Sequence, residues 1–301
     1  NAFAERLHDN RIWFGPDGNS VPCIKRFLSE LKFNGMAPAS ILFYKEVGHS
    51  QEGAQEVAKL MEGAYFDGPK PLRLLRRLLT LANLNKESLV LDFFSGSATT
   101  AHAVMQMNAE DGGHRRFIMV QLPEKTDEKS EAKKAGFDTI CDIGEERIRR
   151  AGEKIKAESP LTTKELDTGF RVFRVDDSNM KDVYYSADEV SQDALDGMIS
   201  NIKEDRSALD LLFGCLVDWG IPLSKKCTSE TVDGHTIYDY GEGDLLACFD
   251  TDISESVIEA MARKKPLRAV FRDGCFSGSQ DKINVFEIFK MLSPDTTIRV
   301  L

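Results

Sequence analysis

The sequence has no apolar run close to the roughly 20 residues that a membrane-spanning helix requires, so no membrane association is predicted. Its 6 cysteines lie far apart, without a C-x-x-C pair and without a histidine at metal-ligand spacing. This pattern argues against a zinc site and favours reduced thiols, as in cytosolic proteins. Internal repeats and low-complexity tracts are also lacking. These absences predict a globular cytoplasmic protein that holds no metal.

An excess of basic residues is lacking as well, since the formal net charge is -10. Residues 1–160 contain 23 basic and 23 acidic side chains, whereas residues 161–301 contain 16 and 26. A free-standing DNA-binding protein usually has a charge of the opposite sign. If nucleic acid is a partner, the second half is therefore not expected to supply the main contact surface.

The length of 301 residues predicts about two domains, at roughly 150 residues each. A polar stretch around Pro160 separates a predicted first domain, residues 1–160, from a predicted second domain, residues 161–301. The first contains buried-strand patterns at 88–94 and 116–122, each followed by a helical pattern, and this alternation is typical of a doubly wound α/β sheet. Helices are predicted from apolar spacing and capping residues over 22–31, 72–82, 126–136 and 139–157.

The second domain has a different pattern. The segment "FRVFRV", residues 170–175, predicts a short strand, and apolar residues between Leu209 and Leu216 mark an amphipathic helix. Asp233-Gly234 lies between β-forming residues and predicts a hairpin. Further strands and helices follow, including a helix over 253–263, a helix over 281–291 and a last strand "TIRVL". This domain is predicted to be α+β.

The stretch "LVLDFFSGSATTAHAVMQ", Leu89–Gln106, ends a buried strand on a carboxylate and continues into a flexible turn and a helix. In parallel α/β sheets, ligands bind beyond the carboxyl ends of the strands, where Asp92 is predicted to lie. Gly96 lets the backbone approach a ligand closely, and the N–H groups at the helix start can bind an anion. A ligand with an ammonium and a carboxylate suits this arrangement. S-adenosylmethionine carries both groups, and its ribose needs an acceptor at the end of the next strand.

Other nucleotide-binding motifs match this turn less well. A phosphate-binding P-loop requires a lysine after its last glycine, and the dinucleotide fingerprint of many oxidoreductases requires three glycines, whereas this turn contains Gly96 alone. The alternative is that "SGSATT" is only a capped strand-to-helix turn that binds nothing, because a single glycine-rich turn is a weak signal. The motif on its own leaves both interpretations open.

The same stretch resembles the cofactor-binding motif of DNA amino-methyltransferases in which this motif lies late in the chain. Those enzymes typically have D-P-F-x-G-S-G-T-T, and this sequence departs from that pattern at Phe93 and Ala98. Both departures are compatible with the modification subunits of type III restriction systems. Segments similar to these subunits occur in order along nearly the whole chain: "YFDGPKPLRLLRRLL", "RRFIMVQLPEKTDE", "GFDTICDIGEERIRRAGEKI", "NIKEDRSALDLLFGCLVDWG", "LLACFD" and "PLRAVFRD".

The resemblance implies a Rossmann-like fold that binds S-adenosylmethionine, incomplete in this chain and followed by the smaller α+β domain. Gln121 takes the strand-end position where related enzymes often have an acidic ribose acceptor; Glu124 is an alternative acceptor, and a plain polar loop residue is the other interpretation. Lys70 can likewise be a solvated lysine beside a helix start. The implied cofactor site consists of Phe66, Lys70, Pro71, Asp92, Phe94, Ser95, Gly96, Ser97, Thr99, Thr100 and Gln121.

The catalytic loop of the resembled family is missing. Adenine-specific members use a D-P-P-Y-type loop that binds the flipped base, and the sequence contains no D-P-P, N-P-P or S-P-P. No catalytic residue is therefore predicted within the chain. In the family's circular order this loop precedes the cofactor motif, and the sequence begins with Asn1 rather than methionine. The sequence is accordingly predicted to be the C-terminal part of a modification subunit, inactive by itself.

The resemblance also implies a function and partners for the complete protein. Such a protein transfers a methyl group from S-adenosylmethionine to the exocyclic amine of adenine in a specific DNA site. It binds DNA mainly through upstream regions, forms a homodimer and associates with a restriction subunit. The acidic domain over 161–301 is interpreted either as a protein-binding surface or as a solvated face. The alternative function is a non-catalytic docking module for a restriction subunit or for a separate catalytic half.

Overall fold

The chain divides into two compact units, Asn1–Val172 and Phe173–Leu301. The division follows Val172 rather than residue 160 because the residues after the last helix of the first unit pack back onto that helix. Thr168 lies against Gly152, and the guanidinium of Arg149 lies 5.5 Å from the ring centre of Phe170. The computed structural model describes residues 2–30, 38–181, 202–276 and 278–301.

The first part of the N-terminal unit consists mainly of short elements. In chain order these are α1 (Ala2–His8), β1 (Ile12–Trp13), β2 (Cys23–Ile24), α2 (Tyr44–Val47), α3 (Ser50–Met61) and α4 (Leu72–Leu81). The helix predicted over 72–82 is confirmed as α4. The helix predicted over 22–31 is wrong, because β2 pairs antiparallel with β1, only Leu28–Glu30 forms a turn of 3-10 helix, and Leu31 lies outside the described residues. Gly15 and Gly18, both at positive φ, form the turn that allows this pairing.

The second part of this unit follows the predicted order of strand, helix, strand, helix. Its elements are β3 (Leu89–Asp92), α5 (Thr99–Asp111), β4 (Arg116–Met119), α6 (Glu131–Lys134) and α7 (Ile140–Glu158). Strands β3 and β4 are parallel, with Leu89 opposite Arg116 and Asp92 opposite Met119. Among the described residues this sheet has two strands. The structure therefore contains a β-α-β unit of a mixed α/β fold, and the wider doubly wound sheet stays a prediction.

Helix α6 is shorter than the helix predicted over 126–136. Its N-cap is Ser130, whose hydroxyl accepts from the N–H of Lys133, whereas the hydroxyl of Thr126 donates to the carbonyl of Phe137. Asp127 caps the N–H of Lys129 in a local turn, so the chain starts its helix one turn later than predicted. The predicted start of this helix at Thr126, as its capping residue, is therefore wrong, whereas a helix before Gly136 is confirmed.

Helix α7 begins with a capping box, in which Thr139 and Asp142 satisfy each other's backbone N–H groups. Its apolar face buries Ile148, Ala151 and Ile155 against α5 and against the β3–β4 sheet. With 19 residues it is the longest described helix, and its charged residues exclude it from a bilayer; no other described helix is both long and apolar enough to cross a membrane.

The other face of the β3–β4 sheet is apolar and exposed. Leu91 is 47% exposed, Ile118 is 46% exposed, and Leu122, just beyond β4, is 65% exposed. Side chains of the opposite face, such as Val90 and Phe117, pack on α4 and α5. The two strands are thus apolar on both faces, as in parallel sheets that are covered on both sides. Within the described part of the chain, helices cover one face.

The C-terminal unit is built on a five-stranded sheet. Its elements are α8 (Ala208–Asp218), β5 (Cys227–Val232), β6 (His235–Tyr240), β7 (Leu245–Cys248), α9 (Glu255–Arg263), β8 (Arg268–Phe271), α10 (Ser279–Leu292) and β9 (Thr297–Val300). The strand order is β5-β6-β7-β8-β9. Strands β5, β6 and β7 are antiparallel, and the predicted hairpin at Asp233-Gly234 is confirmed; β7, β8 and β9 are parallel.

Two hydrophobic clusters cover the two faces of this sheet. Leu246 and Phe271 pack on α9 and α10, whereas Leu245 and Val270 pack on α8. Because helices alternate with the parallel strands β7, β8 and β9, the unit is a mixed α/β layer structure rather than the segregated α+β arrangement that was predicted. The strand predicted over 170–175 is wrong, since the described residues offer it no partner strand.

Candidate functional site

The turn between β3 and α5 is organised by the carboxylate of Asp92. Its Oδ1 accepts from the backbone N–H of Phe94 at 3.1 Å, and its Oδ2 accepts from the hydroxyl of Thr100 at 2.6 Å. The carboxylate thereby joins the end of the strand to the start of the helix. Because a carboxylate offers about four acceptor positions, Asp92 keeps the capacity to bind a cationic group. It is half-buried at the carboxyl end of β3, the position at which the sequence predicts it to lie.

Two residues of the turn adopt positive φ. Gly96 has φ +50°, and a Cβ there would lie 3.0 Å from the ring of Phe66. Ala98, the N-cap of α5, has φ +57° and ψ +36°, a left-handed conformation that is unfavourable for a residue with a Cβ by roughly 1 kcal/mol. Glycine avoids this strain, which explains why the resembled motif commonly has glycine where this chain has Ala98.

Gln121 holds the turn from the end of β4. Its side-chain oxygen accepts from the N–H of Gly96 at 2.8 Å, and its amide donates to the carbonyl of Leu122 at 3.4 Å. The oxygen that the sequence assigned to a ribose hydroxyl is therefore already engaged by the turn, although one lone pair remains. Glu124, the alternative ribose acceptor, is exposed, and its backbone carbonyl accepts from the N–H of Ile140.

The segment before α4 closes the same end of the sheet. Phe66 packs on Gly96, and the carbonyl of Lys70 accepts from the hydroxyl of Thr99 at 3.3 Å. Pro71 is buried and caps α4, whereas the ammonium-bearing side chain of Lys70 is exposed. The structure thus gathers at one edge of the sheet all the predicted cofactor residues: Phe66, Lys70, Pro71, Asp92, Phe94, Ser95, Gly96, Ser97, Thr99, Thr100 and Gln121.

These residues differ in what they can offer to a ligand. The hydroxyls of Ser97, Thr99 and Thr100 are buried and form hydrogen bonds within the protein. The side chain of Phe94, by contrast, is 84% exposed. Ser95 joins the turn to β4 through its N–H, which donates to the carbonyl of Val120 at 3.1 Å. The backbone N–H groups of Ser97, Thr99 and Thr100 have no acceptor within the described parts of the chain. Unsatisfied N–H groups at a helix start, with the positive end of the helix dipole, form an anion-binding position.

Arg147, on α7, is a part of this site that the sequence interpretation missed. It is 1% exposed, and its Nη1 donates to the hydroxyl of Ser97 at 2.7 Å and to the hydroxyl of Thr99 at 2.6 Å. In the sequence it stands among the charged residues of "GEERIRR", which do not single it out. Its helical spacing from the buried residues Ile143 and Ala151 is the signal that could have placed it on the inner face.

His102 lies one turn into α5 and is buried. Burial, together with smaller contributions from the nearby positive charges of Arg147 and Lys154, lowers the pKa of its imidazole from 6.5 to about 3. Its Nδ1 has no hydrogen-bond partner among the described residues. The side chain is therefore neutral at physiological pH and serves as packing beneath the turn.

This burial predicts a pH dependence of stability. Because the pKa of His102 is lower in the folded protein than in the unfolded chain, the unfolded chain binds a proton below about pH 6.5 that the folded protein binds only near pH 3. Stability should therefore fall as the pH falls through this window, by up to about 1.4 kcal/mol per pH unit from this one group. Replacing His102 with glutamine should make the slope of unfolding free energy against pH correspondingly shallower between pH 6 and pH 4.

The measurement is urea denaturation at several pH values. The same substitution at His114, an exposed histidine of the same unit, is the matched control and should leave the slope as in the wild-type chain. An unchanged slope in the His102→Gln variant would contradict a neutral, buried His102.

Comparisons with known proteins place these features in a family context. A sequence model described as DNA methylase matches residues 10–151. The chain is 38% identical over 173 residues to the type III restriction-modification enzyme StyLTI Mod subunit of Salmonella typhimurium, covering 58% of this chain and 26% of that protein. It is 32% identical over 169 residues to the EcoP15I Mod subunit of Escherichia coli, covering 56% of this chain and 24% of that protein. It is 36% identical over 145 residues to the EcoPI Mod subunit of Escherichia phage P1, covering 48% of this chain and 22% of that protein.

These matches confirm the resemblance predicted from the sequence. They cover about half of the chain, whereas the sequence segments suggested a resemblance along nearly all of it. The chain spans about a quarter of the length of the curated relatives it matches. The matched family region contains the β3–α5 turn, the segment that precedes α4 and the part of α7 up to residue 151, which includes Arg147.

Proposed function

We propose that this chain, whose residues 10–151 match a sequence model described as DNA methylase, forms the C-terminal part of a DNA adenine methyltransferase related to the type III modification subunits. In this proposal the β3–α5 turn belongs to a Rossmann-like fold and binds S-adenosylmethionine. One observation carries it: a carboxylate with spare acceptor capacity lies next to helix-start N–H groups that have no acceptor among the described residues.

The chemistry of these groups fits the amino-acid part of the cofactor. Asp92 provides the negative charge for the ammonium, and the N–H groups of Ser97, Thr99 and Thr100 provide donors for the carboxylate. Phe66 packs against Gly96, so it forms an apolar wall at the same end of the sheet. When bound, S-adenosylmethionine supplies an activated methyl group on its sulfonium. The residues of this chain bind and orient the donor; they hold none of the groups proposed to contact the base.

The catalytic loop and the base pocket are proposed to come from segments outside this sequence. The exposed apolar face of the β3–β4 sheet supports this proposal, because Leu91, Ile118 and Leu122 would be covered by further layers of a methyltransferase domain. The same face also favours a second candidate function, namely a docking module for a separate catalytic half. The chain alone is proposed to be inactive in either case.

The partners of the complete protein are proposed in the same way. DNA would bind mainly through the segments outside this sequence, because residues 161–301 contain 16 basic and 26 acidic side chains and repel phosphates. The C-terminal unit would instead face protein: the restriction subunit, or a second modification subunit in a homodimer. The relatives that carry the name of restriction-modification enzymes support this assignment.

The proposed cofactor is tested by calorimetric titration of the complete protein that carries this chain. S-adenosylmethionine should bind, and a nicotinamide dinucleotide should not, because the turn lacks the second and third glycines of a dinucleotide fingerprint. A preference for the dinucleotide would contradict the proposal and favour an oxidoreductase. Transfer of a labelled methyl group to adenine, and not to cytosine, in DNA would support the proposed reaction.

A further inference from the structure

Arg147 has one of the largest fully buried side chains among the described residues. It lies on α7, directly under the β3–α5 turn. One turn earlier on the same helix, a Cβ on Gly144 would lie 3.2 Å from the carbonyl oxygen of Gly96 and 3.6 Å from the Cβ of Ala98. The absence of a side chain at Gly144 brings α7 close enough for Arg147 to reach the turn from below.

The hydrogen bonds of Arg147 connect three segments of the proposed cofactor site. Its Nη1 donates to the hydroxyl of Ser97 at 2.7 Å, to the carbonyl of Ser97 at 3.3 Å and to the hydroxyl of Thr99 at 2.6 Å. The hydroxyl of Thr99 in turn donates to the carbonyl of Lys70 at 3.3 Å. Arg147 therefore ties α7 to the turn and, through Thr99, to the segment that closes the site.

All acceptors of Arg147 are uncharged. No carboxylate forms an ion pair with it among the described residues, where its hydrogen bonds go to Ser97 and Thr99 and its Nε has no partner. The charge of Glu56 raises the pKa of Arg147 from a distance, without a hydrogen bond between the two. The carboxylate of Glu56 accepts instead from the N–H of Leu72. Burial lowers the pKa of Arg147 to about 10, which still leaves the guanidinium charged at neutral pH.

A buried cation without a counter-ion is energetically unfavourable, and a well-packed apolar side chain would usually be at least as stable in its place. The fixed positive charge is hydrogen-bonded to Ser97 and Thr99, two of the three residues whose backbone N–H groups lack acceptors at the start of α5. Both features favour a negative charge on the ligand side of the turn.

We propose that Arg147 is a positioning residue that holds the β3–α5 turn in its binding conformation and, by its fixed charge, strengthens the binding of the ligand carboxylate. This role rests on the proposed function, since it requires that the amino-acid part of the cofactor binds at the turn. Ser97 and Thr99 transmit the positioning, because their hydroxyls are the groups that Arg147 holds.

The test compares two ligands that differ by one carboxylate. S-adenosylmethionine carries the carboxylate, and decarboxylated S-adenosylmethionine lacks it but keeps the ammonium and the sulfonium. The affinities of both are measured by calorimetry in the complete protein that carries this chain, in the wild type and in the Arg147→Met variant. The loss of the fixed charge should lower the affinity for S-adenosylmethionine about tenfold or more, while the affinity for the decarboxylated ligand changes much less.

Two further variants complete the design. Arg147→Lys keeps the charge without the planar fork, so it should retain most of the preference for the carboxylated ligand and keeps the test valid if the methionine variant does not fold. Arg149→Met removes a neighbouring surface arginine of the same helix and should leave both affinities unchanged.

The outcomes separate this role from the proposed function. A wild-type protein that binds neither ligand contradicts the proposed function and this role with it. The other contradicting result is a wild type that binds S-adenosylmethionine and Arg147 variants that lose affinity equally for both ligands. It would contradict the electrostatic role of Arg147 without contradicting the proposed function, because Arg147 would then only support the structure of the turn.

Discussion

Replacing Asp92 with asparagine should weaken the affinity of the complete protein for S-adenosylmethionine by about 10- to 100-fold, because hydrogen bonds to a charged group contribute roughly 1.5–3 kcal/mol. Asparagine keeps a side-chain oxygen that can accept from the N–H of Phe94 or from the hydroxyl of Thr100. The substitution thus removes the charge that would bind the ammonium while it preserves much of the turn. Calorimetric titration measures the affinity, and thermal unfolding measures the stability.

Asparagine is a sharper test than alanine at this position. The strand-end position alone suggests that alanine would leave the stability unaffected, but both carboxylate oxygens accept hydrogen bonds within the turn. Alanine would therefore also lower the unfolding free energy, by about 1–3 kcal/mol for the groups left unsatisfied. Glu87→Gln, the same charge change before the other end of β3, is the matched control and should leave the affinity unchanged. An unchanged affinity with a lower melting temperature in Asp92→Asn would mean that Asp92 is structural.

Replacing Gly53 with alanine should lower the unfolding free energy by about 3 kcal/mol, the upper part of the range for inserting atoms into a packed position. A Cβ at this position in α3 would overlap the carbonyl oxygen of Pro69 and lie 2.9 Å from the backbone of Lys70 and of Pro71. These are backbone atoms, so they cannot move aside by a change of rotamer. Either α3 or residues 69–71 must therefore shift. Residues 69–71 belong to the segment that contacts the β3–α5 turn.

The intrinsic helix propensity of alanine works in the opposite direction. Alanine is better than glycine within a helix by about 1 kcal/mol, which is smaller than the expected effect of the overlap. Gln55→Ala, at an exposed position of the same helix, is the control and should change the unfolding free energy by less than about 0.5 kcal/mol. Urea denaturation measures both variants. A Gly53→Ala variant that is more stable than the wild type would show that α3 and residues 69–71 are not in close contact.

The elements with strong local signals could be predicted from the sequence. Strand β3, the glycine turn and helix α5 follow from an apolar run, a left-handed backbone position at Gly96 and a helical pattern, all within about 20 residues. The hairpin at Asp233-Gly234 follows from the positive φ that this pair adopts. The family resemblance added which residues surround the turn, and the structure brings those residues together.

Contacts between residues far apart in the sequence could not be predicted. Arg147 donates a hydrogen bond to Ser97, which lies 50 residues earlier in the sequence. Gly53 contacts Pro69 because α3 packs against the segment that precedes α4. The bond from Gly96 to Gln121 is of the same kind, since it depends on the register of β4 beside β3. A single sequence holds no signal for such pairs beyond the helical spacing that places Arg147 on an inner face.

The wrong predictions have local causes too. At residues 22–31 the chain forms a strand that pairs with β1 instead of the predicted helix. After Thr126, the helix begins only at a second capping residue, Ser130. At residues 170–175 the alternation of apolar and basic residues suggests a strand, but a strand also needs a neighbour. The C-terminal unit was assigned to the α+β class because the parallel pairing of β7, β8 and β9 is not visible in their sequences.

The central claim is that the edge of the sheet between Asp92 and the start of α5 holds the amino-acid part of a sulfonium methyl donor. A crystal structure of the complete protein with S-adenosylhomocysteine tests it most directly. The account predicts that the ligand's ammonium lies against Asp92 and that its carboxylate meets the N–H groups between Ser97 and Thr100, above Arg147. A ligand bound elsewhere, or this edge filled by the protein's own side chains, would contradict it.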